Sequence, residues 1–332
     1  ILTPLPTSHV NSLVFSFMGV LSTGSCLVQL DRFHPSSWWD DVRKSEATAI
    51  HYLGVMPALL LSMPSKNNDY IGNQVKFGFG AGVEPDDHEE FEKRYGFPLV
   101  EGWAMTETGG AGCMMVSEDP RHVGTRCIGI PPSQLEYRIV SEIDEDVGSG
   151  EDGELLVRRA GANKRSGFFS GYFKDQSATN AVWAGGWLRT GDIVREGNDR
   201  SLFFVDRKKN IIRRSGENIS VSEVENVLSR CPLVQRCALA PVKDSLRGEE
   251  VFALVILDHN ARPSLKVSQS IFEFSRKYLS YFKSPAYIAF VDTIPVTSNQ
   301  KISRSQTTKL SEELFLSGKV YSFISSKRRG EG

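Results

Sequence analysis

Two short runs, Thr190-Gly-Asp192 and Asp206-Arg207, constrain this chain more than anything else in it. Between them lies Gly197-Asn198-Asp199, which has the chemistry of a tight hairpin turn because Gly and Asn tolerate positive φ. Val194 to Glu196 and Leu202 to Val205 are its expected strands. Such a hairpin sets the Asp192 carboxylate and the Arg207 guanidinium at the same end of one ribbon. A carboxylate accepts hydrogen bonds from both hydroxyls of a vicinal diol, and a guanidinium donates from the other side. That pairing suits a ribose. Beyond Arg207 the chain turns polar and basic as far as Glu217, which reads as a junction between two bodies.

The wider pattern supports at least two bodies. At 332 residues the chain can bury more than one core, and its 40% hydrophobic and 24% charged content is that of an ordinary globular protein. Lys and Arg number 39 against 40 Asp and Glu, so no net field draws it to nucleic acid or to an anionic membrane. A local basic patch of Lys208, Lys209, Arg213 and Arg214 is compatible with that balance. Five cysteines without a Cys-x-x-Cys argue against a disulfide framework or a zinc site and suit a reducing, cytoplasmic setting. Val10 to Leu30 is apolar but interrupted by Asn11, Ser16 and Ser22-Thr-Gly-Ser25. It is expected to be a buried helix followed by a strand, with no integral membrane segment. The chain opens at Ile1 without an initiator Met, as expected of a piece of something longer or a processed product.

Residues 1–115 alternate short apolar strands (26–30, 48–55, 75–79, 98–103) with helical segments (35–46, 85–95). This alternation predicts an α/β, partly parallel sheet with ligands at the carboxyl ends of its strands. Residues 116–206 carry short strands between Gly-rich turns and predict a small antiparallel β subdomain. A hinge at 207–210 leads to a smaller α+β C-terminal domain over 211–325. Ser220-Val-Ser-Glu223 opens its first helix as a capping box, and strands follow at 234–242 and 251–257, with a helix over 272–279. The basic tail, 326–332, is expected to fray.

Taken together, Thr190-Gly-Asp192, Asp206-Arg207 and Ser215-Gly-Glu-Asn-Ile219 resemble linked signatures of the adenylate-forming superfamily, which includes acyl-CoA synthetases, nonribosomal peptide synthetase adenylation domains and firefly luciferase. Further stretches extend the resemblance from Thr3 to about Lys309. Gly80-Ala81-Gly82 resembles the family's adenine-binding turn. Glu101-Gly-Trp-Ala-Met-Thr-Glu-Thr108 resembles its aromatic-Gly-x-Thr-Glu signature, with Trp103 for the usual Tyr and Ala104 for the usual Gly. Pro295 to Arg304 resembles its last signature, with Gln300 for the common Gly. His9, after Pro4-Leu-Pro, resembles a segment beside the acyl pocket.

The resemblance implies an enzyme using ATP, Mg²⁺ and coenzyme A: a carboxylic acid and ATP give acyl-adenylate and pyrophosphate, and a thiol then displaces AMP to form a thioester. In that reading Trp103 stacks on adenine, Thr106 contacts phosphate, Glu107 holds Mg²⁺, and Asp192 with Arg207 binds the ribose. Lys301 offsets the repulsion between two approaching anions, and Lys209 is the hinge. Arg213, Ser215, Gly216 and Glu217 line the thiol's path. His9, His51 and Tyr52 are acyl-pocket candidates. Leu30-Asp-Arg-Phe33, Trp39-Asp-Asp-Val42 and Tyr52 to Leu60 look most like ligases of the crotonobetaine/carnitine-CoA type. The family's Ser/Thr/Gly-rich phosphate loop ending in Lys has no counterpart here, Ser22-Thr-Gly-Ser25 being the nearest composition. An incomplete enzyme is therefore expected, with a nucleotide- or acyl-binding relative and a carrier-protein-loading adenylation domain as the rivals.

Overall fold

A computed structural model describes residues 1–65, 71–72, 74–116, 119–296 and 302–327. The chain divides into two units, Ile1–Val205 and Asp206–Gly332.

The first unit holds two sheets. One runs β2-β1-β3-β4-β5-β6, from β1 (Leu2–Thr3), β2 (Val28–Gln29), β3 (Ala49–His51), β4 (Phe77–Gly80), β5 (Leu99–Ala104) and β6 (Cys113–Met115). Its first five members are parallel and β6 is antiparallel. The connecting helices are α1 (Gly19–Thr23), α2 (Trp38–Lys44), α3 (Val55–Leu61) and α4 (Pro85–Tyr95). α4 forms as its sequence dictates: Pro85 at its start, Asp86 and Asp87 in the first turn, Lys93 and Arg94 in the last, and Gly96 left-handed at its end. Trp38, Tyr52, Phe91, Tyr95 and Leu99 belong to one buried cluster beneath these elements. Trp39 packs its ring on Tyr95 at 4.4 Å, a structural place for a residue that adjoins Trp38.

Val10 to Leu30 departs from expectation. A π-helical stretch, Ser12–Met18, runs into α1, and Leu13, Phe17, Met18 and Leu21 are exposed. Its apolar side chains point all round the helix, so one covered face cannot bury them all.

The second sheet is antiparallel, in the order β7-β11-β10-β9-β8: β7 (Cys127–Gly129), β8 (Leu135–Val140), β9 (Asp152–Arg159), β10 (Leu188–Glu196) and β11 (Leu202–Arg207), with α5 (Gln176–Val182) alongside. The β10–β11 turn is closed by Gly197 N–H donating to Ser201 O at 2.9 Å. Its left-handed residue is Arg200, at φ +67°, rather than one of the three expected turn residues. Asp199 instead works through its side chain, accepting from Ser201 N–H and Oγ–H.

The second unit's sheet runs β13-β12-β15-β16-β17, with β14 paired to β15. Its strands are β12 (Ile211–Arg214), β13 (Glu217–Ser220), β14 (Val234–Asp244), β15 (Gly248–Leu257), β16 (Tyr287–Phe290) and β17 (Tyr321–Ser322), with helices α6 (Val221–Ser229), α7 (Leu265–Tyr278) and α8 (Arg304–Leu316). The capping box forms: Ser220 Oγ accepts from Glu223 N–H, and Val224, Val227 and Leu228 are buried. α7 starts seven residues before the expected helix because Ser264 caps Val267 N–H.

Two basic residues are corrections. Arg214 is buried rather than part of a surface patch, and Lys327 is held in the core rather than in a frayed tail. Both donate to Glu250, a fully buried carboxylate, Lys327 Nζ at 2.6 Å. Burial pulls the Lys327 ammonium down to about 8 against the opposing pull of Glu250. A buried carboxylate requires cations beside it, and the sequence does not disclose which carboxylate is buried. Among the described residues no helix is long and apolar enough to cross a membrane, and all five cysteines are free.

Candidate nucleotide site and its relatives

Thr190-Gly-Asp192 is built as a bulge. The register of β10 against β9 shifts between Arg189 and Ile193, and Gly191 takes a left-handed φ of +67°. Thr190 Oγ–H donates to Leu155 O at 2.7 Å and the same oxygen accepts from Asp192 N–H at 3.0 Å. The tripeptide thus supplies a hydroxyl clamp, a residue free to turn, and a carboxylate aimed off the strand.

That carboxylate meets β5. Trp103 Nε1–H donates to Asp192 Oδ2 at 2.8 Å. Trp103 is 6% exposed, in one buried cluster with Met114, Leu155 and Leu188, and Asp192 is 0% exposed. As the chain stands, both are shielded from solvent.

Two residues earlier on the same strand, and therefore on the same face, Glu101 reaches the opposite neighbour. Its Oε2 accepts from Gly82 N–H at 2.9 Å, Val83 N–H lies 3.4 Å from both oxygens, and the Tyr52 hydroxyl donates to Oε1. Gly54 N–H holds Ala81 O at 2.9 Å from the other side. Gly82, at φ +80°, is exposed, and a Cβ there would meet only open space. The turn Gly80-Ala81-Gly82 is thus fixed from below and open above. Burial pushes the Glu101 carboxyl above the usual carboxylate range, and burial with Glu101 beside it pushes the Tyr52 phenol well up. Sequence reasoning assigned Glu101 no role; its only signal was alternation with Trp103 on a strand.

Past β5, Thr106 and Glu107 lie in a single 3₁₀ turn, Thr106–Thr108, whose Thr108 hydroxyl ties it to Gly112 O at 2.8 Å. Thr106 is exposed and Glu107 half-buried. Tyr172 Oη–H donates to Glu107 Oε1 at 2.8 Å; burial with Glu107 nearby raises the phenol to about 12. Tyr172 is a second residue to which the sequence pattern assigns no role. Among the described residues no cluster of three His, Cys, Asp or Glu could hold a metal. A single carboxylate suits Mg²⁺, which usually keeps waters and binds through one or two carboxylates plus substrate phosphates.

His51 and Tyr52 leave β3 into buried surroundings. Asn11 Oδ1 lies 3.2 Å from His51 Nε2 and can only accept, so that nitrogen carries the proton and Nδ1 accepts from Ser16 Oγ–H at 2.7 Å. Burial, with a smaller contribution from His9, brings the imidazole down to about 4. His9 itself is exposed and accepts from Asn11 N–H at 3.3 Å.

The remaining candidates belong to the second unit. Asp206, buried, accepts from Ser220 Oγ, Ser222 N–H and Ser222 Oγ, so this half of its signature anchors α6; its other oxygen accepts from Arg207 N–H. Lys209 is exposed in the turn Lys208–Asn210. Arg213, Ser215, Gly216 and Glu217 are exposed on the β12–β13 hairpin, whose two turn residues have φ +51° and +84°. Lys301 lies outside the described residues. Val296 and Ile302 form an isolated antiparallel bridge, and Arg304 donates twice to Glu225.

Residues 1–173 match the AMP-binding enzyme family, and residues 223–301 match the AMP-binding enzyme C-terminal domain. The chain belongs to the AMP-binding enzyme family. Among this family's relatives, the crotonobetaine/carnitine–CoA ligase of Salmonella heidelberg (strain SL476) is 27% identical over 301 residues, covering 91% of this chain and 57% of the ligase. The o-succinylbenzoate CoA synthetase (MenE) of Bacillus subtilis, solved with the acyl-adenylate intermediate OSB-AMP, superposes with a TM-score of 0.78 at 25% identity, covering 92% of this chain and 60% of that one. The amide bond synthetase McbA of Marinactinospora thermotolerans gives 0.75 at 25% identity over 93% and 61%. MenE has also been solved with ATP and a magnesium ion. The chain therefore spans little more than half the length of the curated relatives it matches, and its α/β architecture is that of the solved structures.

Proposed function

We propose that the chain carries the nucleotide end of an AMP-forming acyl-CoA ligase, acting in the cytoplasm on a small carboxylic acid. The observation that carries this reading is on β5: Glu101 and Trp103, on one face, tie the Gly80–Gly82 turn and the Asp192 carboxylate to the same strand end. Adenine would lie over that turn beside Trp103. The ribose diol would donate to Asp192 once whatever shields it is displaced, with Arg207 as second partner. Thr106 would contact phosphate, and Glu107 would hold Mg²⁺, which when bound neutralises phosphate charge. Lys301 would stand between carboxylate and α-phosphate, where a cation offsets the repulsion. Lys209 would serve as hinge, and Arg213 with Ser215, Gly216 and Glu217 would line the thiol's path. His9, with His51 and Tyr52 behind it, would border the acyl group. The crotonobetaine/carnitine ligases, at 27% identity, make a short polar acid the first substrate to try.

Calorimetric titration with AMP tests the site, and the absence of binding would remove the reading. Lys301→Ala, assayed in protein carrying the N-terminal portion that the resemblance expects, tests the mechanism. Acyl-adenylate formation should fall severely while thioester formation from supplied acyl-adenylate survives. Transfer to free coenzyme A rather than to a carrier protein identifies the acceptor.

The share of the relatives' length favours a second reading for these residues taken alone: they bind AMP weakly and catalyse no carboxylate-dependent pyrophosphate exchange. Exchange by the isolated chain would overturn it.

A further inference from the structure

We infer that Tyr172 is a specificity-determining positioning residue: by holding one oxygen of Glu107 it leaves the other as a single metal-ligating atom, which favours Mg²⁺ over Ca²⁺. The inference rests on the proposed place of Glu107 in the nucleotide site. The Tyr172 hydroxyl donates to Glu107 Oε1 at 2.8 Å, and among the described residues Oε2 accepts from no donor. The two cations ask different things of a carboxylate. Mg²⁺ demands a near-octahedral shell, keeps several waters and takes few protein oxygens beside those of a phosphate. Ca²⁺ gathers more oxygens in a looser shell and often takes both from one carboxylate. With Oε1 engaged by a phenol, Glu107 meets the first demand and is a poor bidentate ligand for the second.

The phenol is held in place by its own neighbours. Tyr172 N–H donates to Thr179 Oγ1 at 2.9 Å, and that buried hydroxyl donates in turn to Asp175 O at the start of α5. The Phe169 ring meets the Tyr172 ring edge-on at 5.0 Å, while Phe169 N–H donates to Glu107 O at 3.0 Å. A Cβ at Gly109 would fall 2.4 Å from Gly167 O, so the two segments lie backbone against backbone. Residues 169–172 therefore grip Glu107 at both its carbonyl and its carboxylate. Outer partners of this kind fix the orientation of a ligating carboxylate, and removing one changes metal affinity by about ten- to a hundredfold.

The test is the ratio of affinities for ATP with Mg²⁺ and ATP with Ca²⁺, measured by calorimetry on the whole chain with all the ATP complexed. Wild type should prefer the Mg²⁺ complex. Tyr172→Phe keeps the ring, at an exposed position, and frees Oε1. It should narrow the preference by about tenfold, the lower end of what losing an outer partner costs, and leave AMP affinity without metal as it was. If the variant weakens both complexes in parallel and keeps the wild-type ratio, Tyr172 only supports the turn and the inference is overturned. Wild type with equal affinity for the two complexes would also overturn it while leaving the nucleotide site standing. Wild type that binds AMP but gains nothing from either metal with ATP would remove Glu107 from the metal, and the inference with it. Failure to bind either nucleotide would remove the site itself.

Discussion

Trp103 and Asp192, 89 residues apart in sequence, share a hydrogen bond of 2.8 Å in surroundings closed to solvent. A buried carboxylate is costly unless hydrogen-bonded, and an indole N–H is a donor only. Trp103→Phe keeps an aromatic face but leaves Oδ2 without that donor. It should cost about 1–3 kcal/mol of stability beyond the loss of packed volume, measured by urea denaturation. Trp103→Phe combined with Asp192→Asn separates packing from hydrogen bonding: stability recovered in the double variant identifies the lost bond, and none recovered assigns the whole cost to packing.

Asp192→Asn alone should weaken AMP binding roughly ten- to a hundredfold, since a hydrogen bond from a hydroxyl to a charged group contributes about 1.5–3 kcal/mol. Unchanged affinity by calorimetry would take Asp192 out of the nucleotide site.

Glu107 and Tyr172 give a test of the metal. If Glu107 is the protein's contribution to Mg²⁺, then Glu107→Gln should abolish the gain in ATP affinity that Mg²⁺ provides, while AMP binding without metal stays as it was. Tyr172→Phe removes the donor at 2.8 Å and should shift the Mg²⁺ concentration needed for half that gain. A Glu107→Gln variant with the full Mg²⁺ effect would place the metal elsewhere.

The buried His51 predicts a pH window for the first unit. In the folded chain its imidazole stays neutral down to about pH 4, whereas in the unfolded chain it protonates near 6.5. Stability should therefore be at its full value above pH 6.5 and fall as the pH drops from 6.5 to 4, by up to roughly 3 kcal/mol. Glu92 acts lower. Burial pushes its carboxyl up, but hydrogen bonds from Arg121, His88 and Leu99 N–H outweigh it and bring the group to about 2, so its contribution is lost between 4.5 and 2. His51→Gln should flatten the upper window alone; an unchanged slope would assign it to other groups.

In the second unit, Arg304 binds both oxygens of Glu225, a carboxylate that also accepts from Leu239 N–H at 2.8 Å. Arg304→Ala should destabilise this unit by about 1–3 kcal/mol, and Arg304→Lys should recover only part, because an ammonium cannot bind both oxygens in the same fork. Full recovery with Lys would mean that charge alone matters there.

What the sequence determined was local or rested on short runs. The Ser220–Glu223 cap, the acidic start and Gly96 end of α4, and the alternation that makes a parallel sheet are all written in neighbouring residues, whose preferences act within a turn or two. The signatures around Asp192, Trp103 and Lys301 were legible for the same reason. The tertiary structure decided the partnerships that span long stretches of chain. Nothing near Glu101 in sequence says that it holds the Gly82 turn, nothing near Tyr172 points to Glu107, and nothing in a basic tail says that Lys327 will be drawn inside to Glu250. Two of these, at Glu101 and Glu250, depend on which carboxylate folding removes from water. A carboxylate so removed must find donors wherever the chain brings them, and that choice is made by packing rather than by neighbours in sequence.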